Sequence, residues 1–378
     1  MASLSGMESK IRPVVLAAVF ALFLWIDLRL VLAMVEVQPL GIDFLAIWSG
    51  VRVALEQPDR LYDFAAVTHS QQWLLGAGSK VRPFVYPPSA ALLFLPFGLV
   101  GFWTAYAGFI LLTGALYFAA ARRISRGIAP LVLLVLAPPV VLSGLIGQLS
   151  FLIGGLVLLA LILRDRPVVA GALLGIAAAL KPQLLVLFPL ALALEGRWRA
   201  LAAAFATGGL VCLGSLAVFG VSAWTDWLAA LPRFARLVAD DPGLMRNVVT
   251  PIGALVRMGA GGAALAVAQA ACVALAAGLV WWTFRRASSP GQRLTALIGA
   301  GLLITPYAMQ YEIAVIAPAV AALAVPPGDS RWLYYLLALL LLSLTLPGLA
   351  ILAGLLVCVL APGSLGGSER PQLGEREA

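Results

Sequence analysis

The chain has 17 Asp and Glu residues among 378, and it places one of them, Asp43, in the apolar stretch "QPLGIDFLAIWSG" directly after its first long hydrophobic run. Two readings compete there. An Asp ahead of an apolar-periodic segment can be a helix N-cap whose carboxylate accepts backbone N–H bonds. A carboxylate kept beside a membrane can also take a proton from a reacting hydroxyl. Neighbouring Glu36, Asp59 and Asp63 read as solvated loop charges. Other polar groups recur in the short breaks between apolar runs. "KVRPFVYPPS" carries Lys80, Arg82 and Tyr86, "LSGLIGQLSF" carries Gln148, and "AALKPQLLVLF" carries Lys181 and Gln183. "ITPYAMQYEIAV" carries Tyr307, Gln310, Tyr311 and Glu312, and the stretch 220–261 adds Arg246 and Arg257. A charge at membrane depth costs roughly 3 kcal/mol on insertion scales. Lys181 must therefore snorkel to an interface or meet an anion, either a carboxylate such as Glu312 or a ligand phosphate. One carboxylate, several cations and a rim of Gln and Tyr suit a definite chemistry: a lipid phosphate held by Lys and Arg, and a polar acceptor deprotonated by Asp.

The elements that must position these groups are membrane helices. Of the chain, 62% is hydrophobic and 11% charged, with a mean hydropathy of +1.01, against about 25% charged in soluble domains. No water-soluble fold of this length hides so much apolar surface, so the expected fold is an all-α polytopic membrane protein. Apolar runs fall near 14–35, 101–121, 129–143, 147–163, 167–180, 183–194, 199–219, 262–284, 294–305, 311–325, 332–346 and 347–361. Several fall short of the roughly 20 residues a bilayer needs, and Pro138–Pro139, Pro182, Pro306 and Pro347 break others. Ten to 12 crossings are expected, some bent or half-length; broken helices at membrane depth belong where they line a cavity or pack on protein. The run Val14–Val35 is longer than a signal-peptide core and is expected to be a retained first span.

Placing Lys10 and Arg12 in the cytoplasm and alternating puts 15 of the 25 Lys and Arg on the inner side, in short connections and in the tail, as the positive-inside rule wants. Both termini then come out cytoplasmic. Two long segments, 36–88 and 220–261, face outward, and each polar break named above falls at that same face. Within the first segment, Phe44, Ile47, Trp48, Val51 and Leu55 recur at helical spacing, which predicts an amphipathic helix lying on the membrane. A second short helix is expected from about Ala65 to Leu75, and Pro87–Pro88 mark the start of the next. Residues 1–363 read as one transmembrane domain, and 364–378, within the terminal "GSLGGSERPQLGEREA", as a disordered cytoplasmic tail.

Other chemistries lack their residues. The net charge of +8 is scattered in ones to threes without the aromatic-interleaved stripe that nucleic acid wants. No phosphate-cradling glycine loop, GxxxxGK[ST] or strand-led GxGxxG, is present, so no nucleotide cofactor is expected and an activated donor must be lipid-linked. Cys212, Cys272 and Cys358 sit singly in apolar runs, the single His69 excludes HExxH, and no metal is indicated.

"GIDFLAIWSGVRVALEQPDRLYD", "FVYPPSAALLFLPFGLV", "GQLSFLIGGLVLLAL" and "GIAAALKPQLLVLFPLAL", in that order over roughly residues 38–325, resemble glycosyltransferase family 87 of the GT-C superfamily. That family includes the polyprenol-phosphate-mannose-dependent α-mannosyltransferases of bacterial envelopes. The resemblance implies a GT-C fold with amphipathic helices in the first periplasmic loop, in the bacterial inner membrane, with an active site facing the periplasm. It implies inverting transfer of a hexose, mannose by family habit, from a polyprenyl-phosphate donor to a lipid or glycan acceptor, with no cofactor beyond that lipid-linked co-substrate. Asp43 would be the catalytic base. Lys181, Arg82 and Arg246 would hold the donor phosphate, and Tyr86, Gln148, Gln183, Gln310, Tyr311 and Glu312 would line the substrate site. Where family members often carry a histidine in the late outer turn, this chain has "PYAMQYEIAV", with Gln310, Tyr311 or Glu312 in its place. The rival from another class is a membrane transporter or lipid flippase, which also uses broken helices and midplane polar groups. Against it, the ionisable groups gather at one face and no inverted repeat is visible.

Overall fold

A computed structural model describes residues 2–37, 39–76, 82–125, 127–286, 288–324 and 332–343. Lys80, Arg126, Arg331, the apolar run 347–361 and the tail 364–378 lie outside the described residues. Among the described residues the architecture is helical, with one isolated antiparallel bridge between Val248 and Met309. The chain runs through α1 (Ala2–Val37), α2 (Ile42–Glu56), α3 (Phe64–His69), α4 (Gln72–Leu75), α5 (Pro88–Gly98) and α6 (Phe102–Ile124). It continues with α7 (Ala129–Val135), α8 (Pro138–Ile146), α9 (Ser150–Ile162), α10 (Pro167–Leu180), α11 (Pro182–Leu185) and α12 (Phe188–Leu194). Then come α13 (Trp198–Asp240), which is broken by non-helical backbone at Gly220 (φ 74°, ψ 176°), α14 (Pro242–Arg246), α15 (Pro251–Arg257), α16 (Gly262–Arg285) and α17 (Pro290–Ile304). A 3-10 helix, Gln310–Val315, leads into α18 (Ala317–Ala324) and α19 (Trp332–Ser343).

Proline sets much of this punctuation. Pro88, Pro138, Pro167, Pro182, Pro242, Pro251 and Pro290 each open a helix, where the missing N–H is unpaired anyway and φ is already helical. As a result, long apolar runs are cut into pieces. Among the described residues, four helices are long and apolar enough to cross a membrane: Ile11–Met34 within α1, α6, α13 and α16. Helices α7 and α8 form a fifth candidate, bent by 49°, and α5, α9, α10, α11–α12 and α19 are shorter apolar pieces. The described apolar runs are thus four full-length helices beside a set of bent or shorter ones, and the 10 to 12 expected crossings are not counted out by helices long enough to span alone. The exposed faces of the long helices carry large apolar groups: Leu24, Trp25 and Leu28 on α1, Leu111 and Leu112 on α6, Phe205 and Leu210 on α13, and Trp281 and Trp282 on α16. Such surface is stable only against lipid. The short helices α9 and α17 are instead largely buried, as helices that cannot span alone must be.

Small residues set the closest helix pair. A Cβ at Gly171 of α10 would lie 2.1 Å from the carbonyl oxygen of Ala200 in α13, and one at Gly175 would lie 2.4 Å from that of Ala204. With no hydrophobic drive between helices in lipid, this close backbone approach is what packing can offer.

Two expectations for the first outer segment change. Helix α2 exists over the predicted residues, but it does not rest its apolar face on the membrane. Phe44, Leu45, Ile47 and Val51 are fully buried in the protein; Phe44 stacks on Phe109 of α6 at 4.9 Å and meets Phe97 of α5 edge-on at 6.1 Å. Hydrophobic periodicity identifies a buried face without saying what buries it. The single helix expected from Ala65 to Leu75 is two, α3 and α4, parted at Ser70–Gln71. Asp63 caps α3 by accepting from the amides of Ala65 and Ala66, and its carboxyl is held low, chiefly by Arg60 and then by those amides. Gln71, in the break, is buried because its side chain has work at the site below.

Candidate active site

The polar breaks meet at one end of the bundle, around a cavity of about 650 Å³ lined by Asp43, Arg82, Tyr86, Gln148, Arg246, Gln310 and Tyr311. Each is delivered by a local device. Helix α8 ends on Gly147 in the left-handed region (φ 78°, ψ 42°), where a side chain would be strained. The Gly147 amide donates to Ser143 O at 3.1 Å, and the Gln148 amide donates to the same oxygen at 3.0 Å. This closes the helix and turns the Gln148 side chain inward. A Cβ on Gly147 would also lie 2.5 Å from Cβ of Phe44, so only glycine lets this turn sit against α2. The Gly41 amide, donating to Leu145 O at 2.8 Å, completes the join.

That contact brings Gln148 to Asp43. Gln148 Nε2 donates to Asp43 Oδ2 at 2.7 Å, while its Oε1 accepts from the Tyr86 hydroxyl at 3.1 Å and from the Leu149 amide at 3.3 Å. The two donors on Oε1 fix which end of the amide faces the carboxylate. The other carboxylate oxygen, Oδ1, lies 3.6 Å from Arg82 Nη1. The N-cap reading of Asp43 is thereby set aside: Gly41 is the cap residue, it makes no side-chain cap bond, and Asp43 sits inside the first turn facing Gln148 and Arg82. Burial raises the Asp43 pKa above the usual carboxylate value, opposed by the Gln148 hydrogen bond and the charges of Arg82 and Lys181. The Tyr86 phenol is pushed up as well, by burial and then by Asp43 and Glu312, so it stays a donor.

The strand-like segment 82–87 that carries Arg82 and Tyr86 is pinned through its carbonyls. Gln71 Nε2 donates to Arg82 O at 2.8 Å, Trp227 Nε1 to Val85 O at 3.1 Å, and the Tyr62 hydroxyl to Tyr86 O at 2.7 Å. Arg233 Nη2 in turn donates to Tyr62 O at 3.0 Å. Opposite, residues 247–249 pair with 308–310. Val249 N donates to Ala308 O at 2.9 Å and Gln310 N to Asn247 O at 3.0 Å, and Gln310 Nε2 reaches Asn247 Oδ1 at 3.2 Å. This two-stranded strap sets exposed Arg246 and half-buried Gln310 side by side. Arg257 has a different task from that of a free cation: its Nη1 donates to Met245 O and Val248 O at 2.6 and 3.0 Å.

Lys181 and Glu312 form a buried ion pair, so of the two anions the sequence offered Lys181, it is the carboxylate that meets it. Both side chains are almost wholly buried. Glu312 also accepts from the Met309 amide at 3.0 Å, and the Lys181 ammonium lies 5.8 Å from the Tyr311 ring centroid. The pair thus stands behind the cavity wall, fastening the end of α10 to the strap. Gln183 requires a correction. Lys181 has non-helical backbone (φ −147°, ψ 74°) and Gln183 lies in the first turn of α11; the chain has swung round at Pro182, leaving Gln183 exposed and away from the cavity lining.

Sequence reasoning passed over Tyr62, Gln71, Trp227, Arg233 and Asn247, which hold the site, and Leu30, Ala33 and Met34, which give the cavity an α1 wall. An Asn such as Asn247 or a Trp such as Trp227 carries in its own sequence no signal of its partner's place. Asp27, buried on the same helical face as Leu30 and Met34, was also passed over; its carboxylate oxygens have no hydrogen-bond partner among the described residues. No group of three or more His, Cys, Asp and Glu among the described residues could hold a metal ion.

The site invites comparison with known proteins. The profile of glycosyltransferase family 87 matches residues 84–306, which hold Tyr86, Gln148, Lys181 and Arg246. A polyprenol-phosphate-mannose-dependent alpha-(1-2)-phosphatidylinositol mannoside mannosyltransferase of Mycobacterium tuberculosis is 27% identical over 290 residues. That alignment covers 69% of this chain and 66% of the relative, just under two thirds of the relative's length. No solved structure matches the chain. The family match runs over more than half of the sequence and includes the Gln148 turn, though Asp43, Arg82, Gln310 and Tyr311 lie outside it. The chain belongs to glycosyltransferase family 87.

Proposed function

We propose that this protein is an inverting hexosyltransferase of the bacterial inner membrane, moving mannose from a polyprenyl-phosphate donor to a hydroxyl of a lipid or glycan acceptor on the periplasmic side. The observation that carries the reading is one carboxylate, Asp43, set by Gln148 and facing the same cavity as Arg82 and Arg246. The acceptor hydroxyl gives its proton to Asp43 as its oxygen bonds to the anomeric carbon. The bond from that carbon to the phosphate oxygen breaks, and the electron pair leaves with the polyprenyl phosphate. Arg82 and Arg246 hold the departing phosphate, because cations fixed where charge develops lower the barrier without reorganising. Gln148, locked by Tyr86, keeps the carboxylate aimed. Tyr311 and Gln310 offer a phenol and an amide to the sugar or acceptor hydroxyls. Lys181 acts at one remove: through Glu312 it positions the strap, and its charge favours the ionised form of Asp43.

Support for mannose and for the lipid-linked donor comes from the mycobacterial relative, whose own name states both. The test is Asp43→Asn, which keeps size and removes basicity. Transfer from a synthetic polyprenyl-phosphate mannose should fall by about 100- to 10,000-fold, the usual weight of a general base, while donor retention by the purified protein is preserved. Full activity in that variant would sink the base assignment.

A further inference from the structure

At the end of the bundle opposite Asp43 lies a second cavity, of about 320 Å³, walled by α9, α10, α12, α13, α16 and α17. Its depth is apolar, with Leu161, Leu174, Phe188, Leu192 and Leu297 among its walls, and its mouth is ringed by Arg164, Arg197 and Arg293 with the single acid Glu195. Glu195 is shared: it lies 3.0 Å from Arg197 and 2.7 Å from Arg293. Arg197 Nη1 donates to Arg164 O at 2.8 Å, and Arg293 Nε is buried with no hydrogen-bond partner among the described residues. Arg164 lies 3.9 Å from Asp165, which is 91% exposed. Among the described residues, Glu195 and exposed Asp165 thus face three arginines at the mouth, and net positive charge is left over an apolar shaft.

We infer that this cavity binds an anionic phospholipid, an acyl chain in the shaft and the phosphate on Arg164, Arg197 and Arg293. The arginines stand at the ends of α9, α13 and α17, and basic pockets between membrane helices recruit anionic headgroups. A free phosphate would satisfy the mouth but leave the shaft empty; a zwitterionic lipid would fill the shaft but bring its own cation to the arginines. The site shares no residue with the Asp43 cavity, so it stands whether or not the proposed transfer reaction does.

The test uses full-length protein stripped of lipid in detergent. Thermal unfolding is followed against added phosphatidylglycerol, phosphatidylcholine and inorganic phosphate, and native mass spectrometry counts bound lipid. Phosphatidylglycerol should raise Tm saturably and remain bound, phosphatidylcholine should do so more weakly, and inorganic phosphate should do neither. Arg164→Gln should weaken the phosphatidylglycerol response about fivefold. Ala191→Leu, which fills the shaft without touching charge, should weaken it too, and Glu195→Gln should strengthen it by freeing two arginines. Equal responses to the two lipids, a matching response to inorganic phosphate, or an unchanged phosphatidylglycerol response in both Arg164→Gln and Ala191→Leu would overturn the inference.

Discussion

At the scale of single residues, the site is a contest over one proton. Burial pushes Asp43 toward its neutral form, while Gln148, Arg82 and Lys181 pull it back toward the ionised one. A base of the kind proposed for Asp43 must be deprotonated to work, so under that proposal activity is present above its pKa and lost as pH falls through it. Since burial prevails, the acid limb of kcat/KM should lie above the ordinary Asp value of about 3.9. Arg82→Gln removes one of the opposing charges, and the limb should then move to higher pH. A pH–rate profile of both proteins reads this directly; a limb that stays put while the rate drops would mean Arg82 does not act on Asp43. Residues of this kind were legible in the sequence because a polar group in a chain so poor in charge stands out. Direction was not legible. Lys181 and Gln183 flank one proline and look equivalent on paper, yet the turn at Pro182 buries the first and exposes the second.

At the scale of elements, the breaks between helices matter more than the helices. The sequence marked the breaks well, since proline and glycine at helix starts and ends act through local backbone geometry. It could not show what fastens them, because the partners are remote: Trp227 holds a carbonyl 142 residues away. The Lys181–Glu312 pair is the clearest such fastening, joining the end of α10 to the 3-10 helix Gln310–Val315. Removing one member of a buried pair leaves a lone charge and costs about 3–5 kcal/mol, whereas replacing both by apolar groups of similar size is far milder. Lys181→Met and Glu312→Leu should each lower the thermal unfolding midpoint markedly, and the double variant should recover most of the loss. Additive losses in the double variant would show that the two side chains stabilise the fold separately.

At the scale of the whole molecule, the cavity ringed by Arg164, Arg197 and Arg293 lies at one end of the bundle and the Asp43 cavity at the other. If the end with Arg164, Arg197 and Arg293 is cytoplasmic, the Asp43 cavity faces the periplasm. In a variant with Cys212, Cys272 and Cys358 replaced by Ala, Asp59→Cys should react with a membrane-impermeant maleimide in intact spheroplasts, and Arg199→Cys only after lysis. The opposite pattern would invert the protein. The cavity also has an uneven enclosure. Protein backs it on most sides, but toward α1 it is bounded by Leu30, Ala33 and Met34, while Leu28 and Leu32 of the same helix face outward. On that side the thickness of one helix separates the cavity from its outward-facing leucines. Under the proposed reaction, a donor built on a long isoprenoid would keep its tail dissolved in the bilayer and present only its head, with no need to be extracted.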